Sequence, residues 1–147
     1  MDAETPAAGL FARIESSLKR QGMMQHLGVR LLRAEPGLCE LALPYSDRVT
    51  QQQGGFHGGA MGALADIAGG YAGLTMLPDG TEITTVEYKV NFLASFQGGE
   101  LRAMGRVAKA GKRIIVATVE LSHVDASGRQ SACALMQQTL VPVPKTY

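Results

Sequence analysis

The part of the sequence best suited to chemistry is the stretch QQQGGFHGGAMGALADIAGGY, residues 51–71. In it, His57, Gly58 and Gly59 stand where a polar loop gives way to a long apolar segment that predicts a helix. The first backbone N–H groups of a helix have no partner within the helix and carry a partial positive charge. Glycine lets a ligand approach these groups closely. They could therefore stabilise a carbonyl oxygen that gains charge, as an oxyanion hole does.

Asp66 is the one charged residue inside this apolar segment. An ionised carboxylate in an apolar helix is costly unless it is partnered or functional. The functional interpretation is that Asp66 serves as a general base or as a nucleophile. The structural alternative is that Asp66 caps another helix or pairs with a basic residue. For His57, the alternative is a ring N–H that donates to a backbone carbonyl and fixes the loop.

The spacing of His57 and Asp66 has a geometric consequence. At about 100° and 1.5 Å per residue, nine steps along a regular helix separate two positions by about 180° and about 13 Å. The two side chains of one chain therefore cannot converge on one small group. If both belong to the same site, that site needs Asp66 from a second subunit, which predicts a composite site at a dimer interface.

Hydrophobic periodicity predicts the elements that position these residues. An amphipathic helix carries Leu10, Phe11, Ile14 and Leu18 and ends near residue 22. Two strands follow at residues 29–34 and 38–43, and then a buried helix from residue 57 to about residue 77. Residues 60–77 also resemble a short membrane span, but a mid-membrane Asp costs about 2.5–3.5 kcal/mol, which favours a buried helix in a soluble protein.

The remainder of the chain alternates between apolar and polar residues with period two, which is typical of half-buried strands. Four strands are predicted, within residues 86–92, 101–107, 115–121 and 130–141, and short turns between them favour an antiparallel meander. A long antiparallel β-sheet wrapped around a central buried helix is the α+β layout called the hotdog fold. We expect one domain over residues 1–147, with an N-terminal helical segment at residues 1–26.

Composition excludes several function classes. The chain has 147 residues, 46% of them hydrophobic, and a formal net charge of +1, so it has neither the basic stripe of a nucleic-acid-binding protein nor the composition of a disordered chain. No signal peptide is recognisable. Cys39 and Cys133 do not form a CxxC motif, so we expect buried free thiols, a reducing compartment such as the cytoplasm, and no metal.

Three runs carry a specific resemblance: HGGAMGALADIAGGYA, then TVEYKVNFLA, and then VATVELSHVDASGRQSACA after a turn at GKR. Together they resemble the PaaI-type branch of the hotdog thioesterase superfamily over residues 27–141. The resemblance implies hydrolysis of acyl-CoA thioesters without a cofactor. It also implies a homo-oligomer, either a dimer or a homotetramer built as a dimer of dimers, with no nucleic-acid or membrane partner.

The resemblance also implies roles for individual residues. Asp66 corresponds to the general base or nucleophile, and Gly58 to the residue whose N–H group forms the oxyanion hole. His57 corresponds to the histidine that orients the loop and helps to polarise the carbonyl. Gln51 stands where the family often has Asn, which places the water or the carbonyl, and Thr85 corresponds to a hydroxyl residue that helps to hold the water.

Substrate-binding residues are predicted around this constellation. The candidates for the acyl group are Gly59, Phe56, Met61, Tyr71 and Phe92. A small basic cluster at a predicted turn is a candidate for the CoA phosphates, and its alternative interpretation is a solvated hairpin. The cluster consists of Lys109, Lys112 and Arg113.

Three other functions compete with hydrolysis. Hotdog hydratases and dehydratases use a His and a carboxylate across a dimer, but the fatty-acid dehydratase signature places Phe-Pro-Gly after the His, and here Gly-Gly follows His57. A non-catalytic acyl-CoA-binding module is the second alternative, although such a module gains nothing from a buried charge at Asp66. A purely structural or interaction domain is the third.

Overall fold

The computed structural model describes residues 6–147. Its elements follow the predicted order: α1 (Pro6–Lys19), α2 (Gly22–Leu27), β1 (Arg30–Glu35), β2 (Leu38–Pro44), α3 (Gly58–Leu74), β3 (Thr81–Phe92), β4 (Glu100–Ala110), β5 (Ile115–Val124) and β6 (Gln130–Pro144), with a 3-10 turn at Asp47–Val49 between β2 and α3.

The N-terminal helix ends earlier than predicted. α1 stops at Lys19, and a separate helix, α2, begins at Gly22. The N–H groups of Arg20 and Gln21 bond to carbonyl groups three residues earlier, so the last turn tightens and the helix does not continue. Over the described residues, the predicted helical segment 1–26 therefore holds two helices instead of one.

The six strands form one antiparallel sheet in the order β1-β2-β4-β5-β6-β3. The predicted meander is correct for β4, β5 and β6 but wrong for β3, which pairs with β6 and lies at the edge of the sheet. The free side of β4 is occupied by β2, so β3 has no place beside β4. Residues 93–99, which turn at Gly98 and Gly99 with positive φ, carry the chain across to β4.

The predicted buried helix is confirmed as α3, which packs against β2, β3, β4, β5 and β6. Small residues allow a very close approach, since a Cβ atom on Gly105 of β4 would lie 2.4 Å from the backbone oxygen of Ala68. α3 ends at Leu74, three residues before the predicted end. There the hydroxyl of Thr75 donates to the Ala72 carbonyl and accepts a hydrogen bond from the N–H of Gly37.

The inward-facing residues of β4 and β5 are buried as their alternation predicted. The sheet and its enclosed helix confirm the α+β hotdog class. Cys39 and Cys133 are buried free thiols, as predicted. Burial raises the pKa of Cys39 to about 12 and that of Cys133 to about 11. No helix in the described part of the chain is long and apolar enough to cross a membrane.

Candidate active site

His57 fixes the beginning of α3. Its Nδ1 atom accepts a hydrogen bond of 2.7 Å from the backbone N–H of Gly59, and the backbone N–H of His57 donates to the carbonyl of Val49 at 2.7 Å. The ring therefore caps the helix as an acceptor, whereas the structural alternative from the sequence had it donating to a carbonyl. Because the N–H of Gly59 is bound by this cap, it is not available to a substrate.

The N–H of Gly58 is in a different position. Within residues 6–147, no group accepts a hydrogen bond from it. It lies at the first residue of α3, where the helix dipole adds partial positive charge. This combination, a fixed and unpaired donor at a helix start, has the properties that an oxyanion hole requires.

Gly58 lines a cavity of about 410 Å³, which we call the Gly58 cavity. Its other lining residues are Gln51, Phe56, Met61, Phe92, Leu93, Ala94 and Ser95. The Oε1 atom of Gln51 accepts a hydrogen bond from the N–H of Gln53, and its amide nitrogen donates to no described residue. The structure thus brings Gln51, Phe56, Met61 and Phe92 together around Gly58.

Asp66 is half-buried and its two carboxylate oxygens differ. The Oδ1 atom accepts hydrogen bonds from the Thr85 hydroxyl at 2.7 Å and from the Gln138 side-chain amide at 2.8 Å. Oδ2 accepts none from any described residue. Asp66 forms no ion pair with a described residue and caps no described helix, so neither structural alternative accounts for it.

Asp66 faces a second cavity of about 510 Å³, which we call the Asp66 cavity. It is lined by Ser17, Arg20, Gln21, Asp66, Ile67, Gly70, Tyr71, Glu82, Ile83, Thr84, Thr85 and Tyr147. The Tyr71 hydroxyl donates to Ser17 at 3.0 Å and accepts from Gln21 at 2.7 Å. Burial raises the pKa of Tyr71, and these two hydrogen bonds oppose that shift.

The polar end of the Asp66 cavity lies between α1 and β3. There the Tyr147 hydroxyl donates to Glu82 at 2.5 Å, and the guanidinium of Arg20 lies 4.5 Å from the centre of the Tyr147 ring. The hydrogen bond to Glu82 raises the pKa of Tyr147. The cavity therefore runs from the Asp66 carboxylate, past apolar residues, to a cluster of polar and charged groups.

The two cavities of one chain share no lining residue. Gly58 and Asp66 are eight residues apart on α3, which corresponds to about 12 Å along a helix axis. In one chain, the Gly58 N–H and the Asp66 carboxylate thus line two separate cavities. The three basic candidates are exposed and line neither cavity. They are Lys109, Lys112 and Arg113.

Sequence reasoning missed one residue of the site, Gln138. Its side chain is completely buried and donates to Asp66. A signal was present, because β6 alternates with period two and Gln138 shares its inward face with Ala134, Met136 and Leu140. An amide at an apolar position of this kind needs a polar partner inside the protein.

The edge strand β3 carries an exposed apolar strip. Val86 is 57% exposed, Tyr88 44%, Phe92 53% and the adjacent Leu93 54%. One side of β3 is paired with β6, and no described strand pairs with its other side. A long edge strand with exposed apolar side chains favours association with another chain.

Known proteins resemble this chain in sequence. The sequence profile of the thioesterase superfamily matches residues 53–127. A protein of Saccharolobus solfataricus, provisionally named an esterase, is 33% identical over 117 residues, which cover 80% of this chain and 81% of that protein.

Within the described residues, no cluster of His, Cys, Asp and Glu is suited to hold a metal ion.

Solved structures show the same similarity. The crystal structure of a thioesterase family protein from Silicibacter pomeroyi superposes with a TM-score of 0.88 at 34% identity and covers 93% of this chain and 100% of that one. The PaaI protein of Escherichia coli superposes with a TM-score of 0.82 at 20% identity, over 95% of this chain and 97% of that one. The second likeness concerns the fold, and it agrees with the resemblance seen in the sequence.

Proposed function

Because the chain belongs to the thioesterase superfamily, whose reaction is thioester hydrolysis, we propose that it hydrolyses acyl-CoA thioesters with Asp66 as the reacting carboxylate. One observation carries the proposal. Asp66 places a carboxylate inside an otherwise apolar helix and beside a cavity, where two donors hold Oδ1 and no described residue donates to Oδ2. A free oxygen on an oriented carboxylate is suited to take a proton from water or to attack a carbonyl.

In the water route, Oδ2 of Asp66 takes a proton as the water oxygen attacks the thioester carbon. The carbonyl oxygen becomes an oxyanion, which the Gly58 N–H stabilises. When this intermediate collapses, the C–S bond breaks and the CoA thiolate leaves with a proton returned from Asp66. In the nucleophile route, Asp66 attacks the carbon directly and displaces the thiolate, and water then hydrolyses the mixed anhydride. Both routes give the free acid and CoA.

The proposed site is shared between two subunits. The donor and the carboxylate of one chain lie in separate cavities, about 12 Å apart along the axis of α3. A second copy that packs along the β3 edge would cover Val86, Tyr88 and Phe92. It would also set the Gly58 cavity of one protomer against the Asp66 cavity of the other. Closed two-fold symmetry would then create two equivalent sites per dimer.

The rest of the substrate is assigned by chemistry. The apolar walls of the two cavities, with Phe56 and Met61 on one side and Tyr71 on the other, are suited to an acyl group. The exposed basic turn at residues 109–113 is the candidate for the CoA phosphates, because free Lys and Arg side chains attract phosphate.

Two buried thiols support a reducing compartment, such as the cytoplasm.

The test is CoA release by the wild type and by Asp66→Asn, measured across a panel of acyl-CoA thioesters. Removal of one general base should lower kcat by roughly 10²–10⁴-fold. Asp79→Asn is the matched control, because the Asp79 side chain is 95% exposed and lies outside both cavities. If the wild type binds acyl-CoA but releases no CoA from any member of the panel, hydrolysis of acyl-CoA is excluded and the binding-module alternative replaces it.

A further inference from the structure

Gln138 is completely buried on the inward face of β6. Its amide nitrogen donates to Oδ1 of Asp66 at 2.8 Å and to the backbone oxygen of Asp66 at 3.3 Å. The same nitrogen lies 3.5 Å from the Thr85 hydroxyl oxygen. These contacts tie the Asp66 side chain to its own backbone, and they fix the orientation of the Gln138 amide because only its nitrogen can donate.

The orientation leaves the other end of the amide without a partner. The Oε1 atom of Gln138 is buried and accepts no hydrogen bond from a described residue. It packs against Gly69 of α3, where an added Cβ atom would lie 1.6 Å from Oε1. An unsatisfied buried carbonyl and a glycine inside a helix both lower the stability of a fold. A methionine at position 138 would fill much the same space and would leave no unsatisfied carbonyl, although it would still require Gly69.

We propose that Gln138 is a positioning residue, which acts on the reaction by holding the Asp66 carboxylate in one rotamer. The inference rests on the proposed function, since it requires Asp66 to be the reacting group. Thr85 reaches Oδ1 from β3 and Gln138 reaches it from β6. Donors from two different strands define the plane of the carboxylate and keep Oδ2 directed into the Asp66 cavity.

The proposal predicts opposite effects on activity and stability. Gln138→Met should lower kcat by roughly 10–100-fold, the range expected for one charge-assisted hydrogen bond, with little change in KM. The melting temperature should stay the same or rise, because the unsatisfied carbonyl is removed. A purely structural glutamine would instead lower the melting temperature when replaced. The matched control is Gln137→Met, since Gln137 is exposed on the opposite face of the same strand.

A double-mutant cycle tests whether Gln138 acts through Asp66. In an Asp66→Asn background, Gln138→Met should cause no further loss of kcat, because residues that act as a unit are not additive. A second variant, Gly69→Ala, should displace the amide and lower kcat without altering Gln138 itself. It should add nothing in a Gln138→Ala background, where the space is free.

The outcomes separate this inference from the proposed function. If the wild type is active, Asp66→Asn is impaired, and Gln138→Met keeps full activity, the positioning role is excluded and the proposed function stands. If Gln138→Met loses kcat only together with its melting temperature, the role is structural and the inference is also excluded. If Asp66→Asn is as active as the wild type, the proposed function itself fails.

Discussion

The hydroxyl of Thr85 donates a hydrogen bond of 2.7 Å to Oδ1 of Asp66, which joins the edge strand β3 to the buried helix α3 at the proposed reacting carboxylate. Thr85→Val keeps the shape of the side chain and removes this donor. We expect kcat to fall by roughly 10–100-fold, because a hydrogen bond to a charged group contributes about 1.5–3 kcal/mol. Thr85→Ser should retain most of the activity, and steady-state kinetics on the best acyl-CoA substrate distinguish the two.

The control for this substitution is Thr118→Val, which makes the same chemical change on β5, outside both cavities. It should leave kcat unchanged. Full activity in Thr85→Val together with a loss in Thr85→Ser would mean that the methyl packing of the residue matters and its hydroxyl does not.

The oxyanion role of Gly58 is testable by removing its backbone N–H. Proline is well tolerated at the first residue of a helix, and His57 has the extended backbone, φ −69° and ψ 134°, that a residue before proline prefers. Gly58→Pro should therefore fold, and the loss of one oxyanion donor should lower kcat by roughly 10²–10³-fold.

Gly58→Ala is the matched control for that proline, because it adds a Cβ atom and keeps the N–H. The added atom would lie 3.2 Å from the ring of Phe92, whose exposed side chain can shift. Alanine should retain much of the activity that proline loses. If both variants lose kcat equally, crowding against Phe92 explains the effect and the N–H does not.

A site shared between subunits predicts complementation between two inactive variants. Asp66→Asn keeps the Gly58 donor, and Gly58→Pro keeps the Asp66 carboxylate. In a random mixture, half of the dimers would be heterodimers, and each heterodimer would have one intact site out of two. About a quarter of the wild-type activity should therefore return after co-refolding. Activity of the mixture, compared with each variant alone, is the measurement.

The control mixture combines Asp66→Asn with a chain that carries both substitutions, in which no intact site can form. It should remain inactive. If the first mixture also remains inactive although heterodimers are present, Asp66 and Gly58 act within one chain and the shared site is excluded.

Much of the fold was predictable from the sequence because periodicity reports local burial. The apolar segment after His57 predicted α3, and the alternation in β4 and β5 predicted their inward faces. The position of β3 was not predictable in this way. Strand pairing depends on contacts between distant segments. β2 occupies the free side of β4, and the alternation of apolar and polar residues in these two strands does not indicate this pairing.

The candidate site was partly predictable for the same reason. Asp66 stands out because a charge inside an apolar segment is rare, and the resemblance added Gly58 and Thr85. The cap formed by His57 on Gly59 depends on one side-chain rotamer, which spacing does not determine. Gln138 is 72 residues from Asp66, so only the folded sheet brings the two together.

Tyr71 connects α3 to the N-terminal helices. Its ionisation should make the free energy of unfolding depend on pH in the alkaline range. Its pKa is raised in the folded protein by burial. A group of this kind contributes stability that is fully present below its unfolded pKa, about 10, and is lost as the pH rises through its folded pKa. Wild type should thus lose stability above about pH 10 more steeply than Tyr71→Phe, as measured by urea unfolding between pH 8 and pH 11.

At neutral pH the same substitution should lower the free energy of unfolding by about 1 kcal/mol, since the hydrogen bonds to Ser17 and Gln21 are lost. The control is Tyr88→Phe, whose hydroxyl has no hydrogen-bond partner among the described residues. Equal alkaline slopes for wild type and Tyr71→Phe would show that Tyr71 has the same pKa in the folded and unfolded chains, which contradicts the prediction.

The two cysteines should be silent in an assay that detects CoA through its thiol. The thiolate is the form that reacts with disulfide reagents, and burial holds the pKa of Cys39 at about 12 and that of Cys133 at about 11. Both thiols are therefore protonated and covered at neutral pH. The native protein should consume no reagent during an assay, and the protein unfolded in guanidinium should consume two equivalents per chain. Rapid labelling of the native protein would mean that the structure opens locally around these residues, because both thiols are buried.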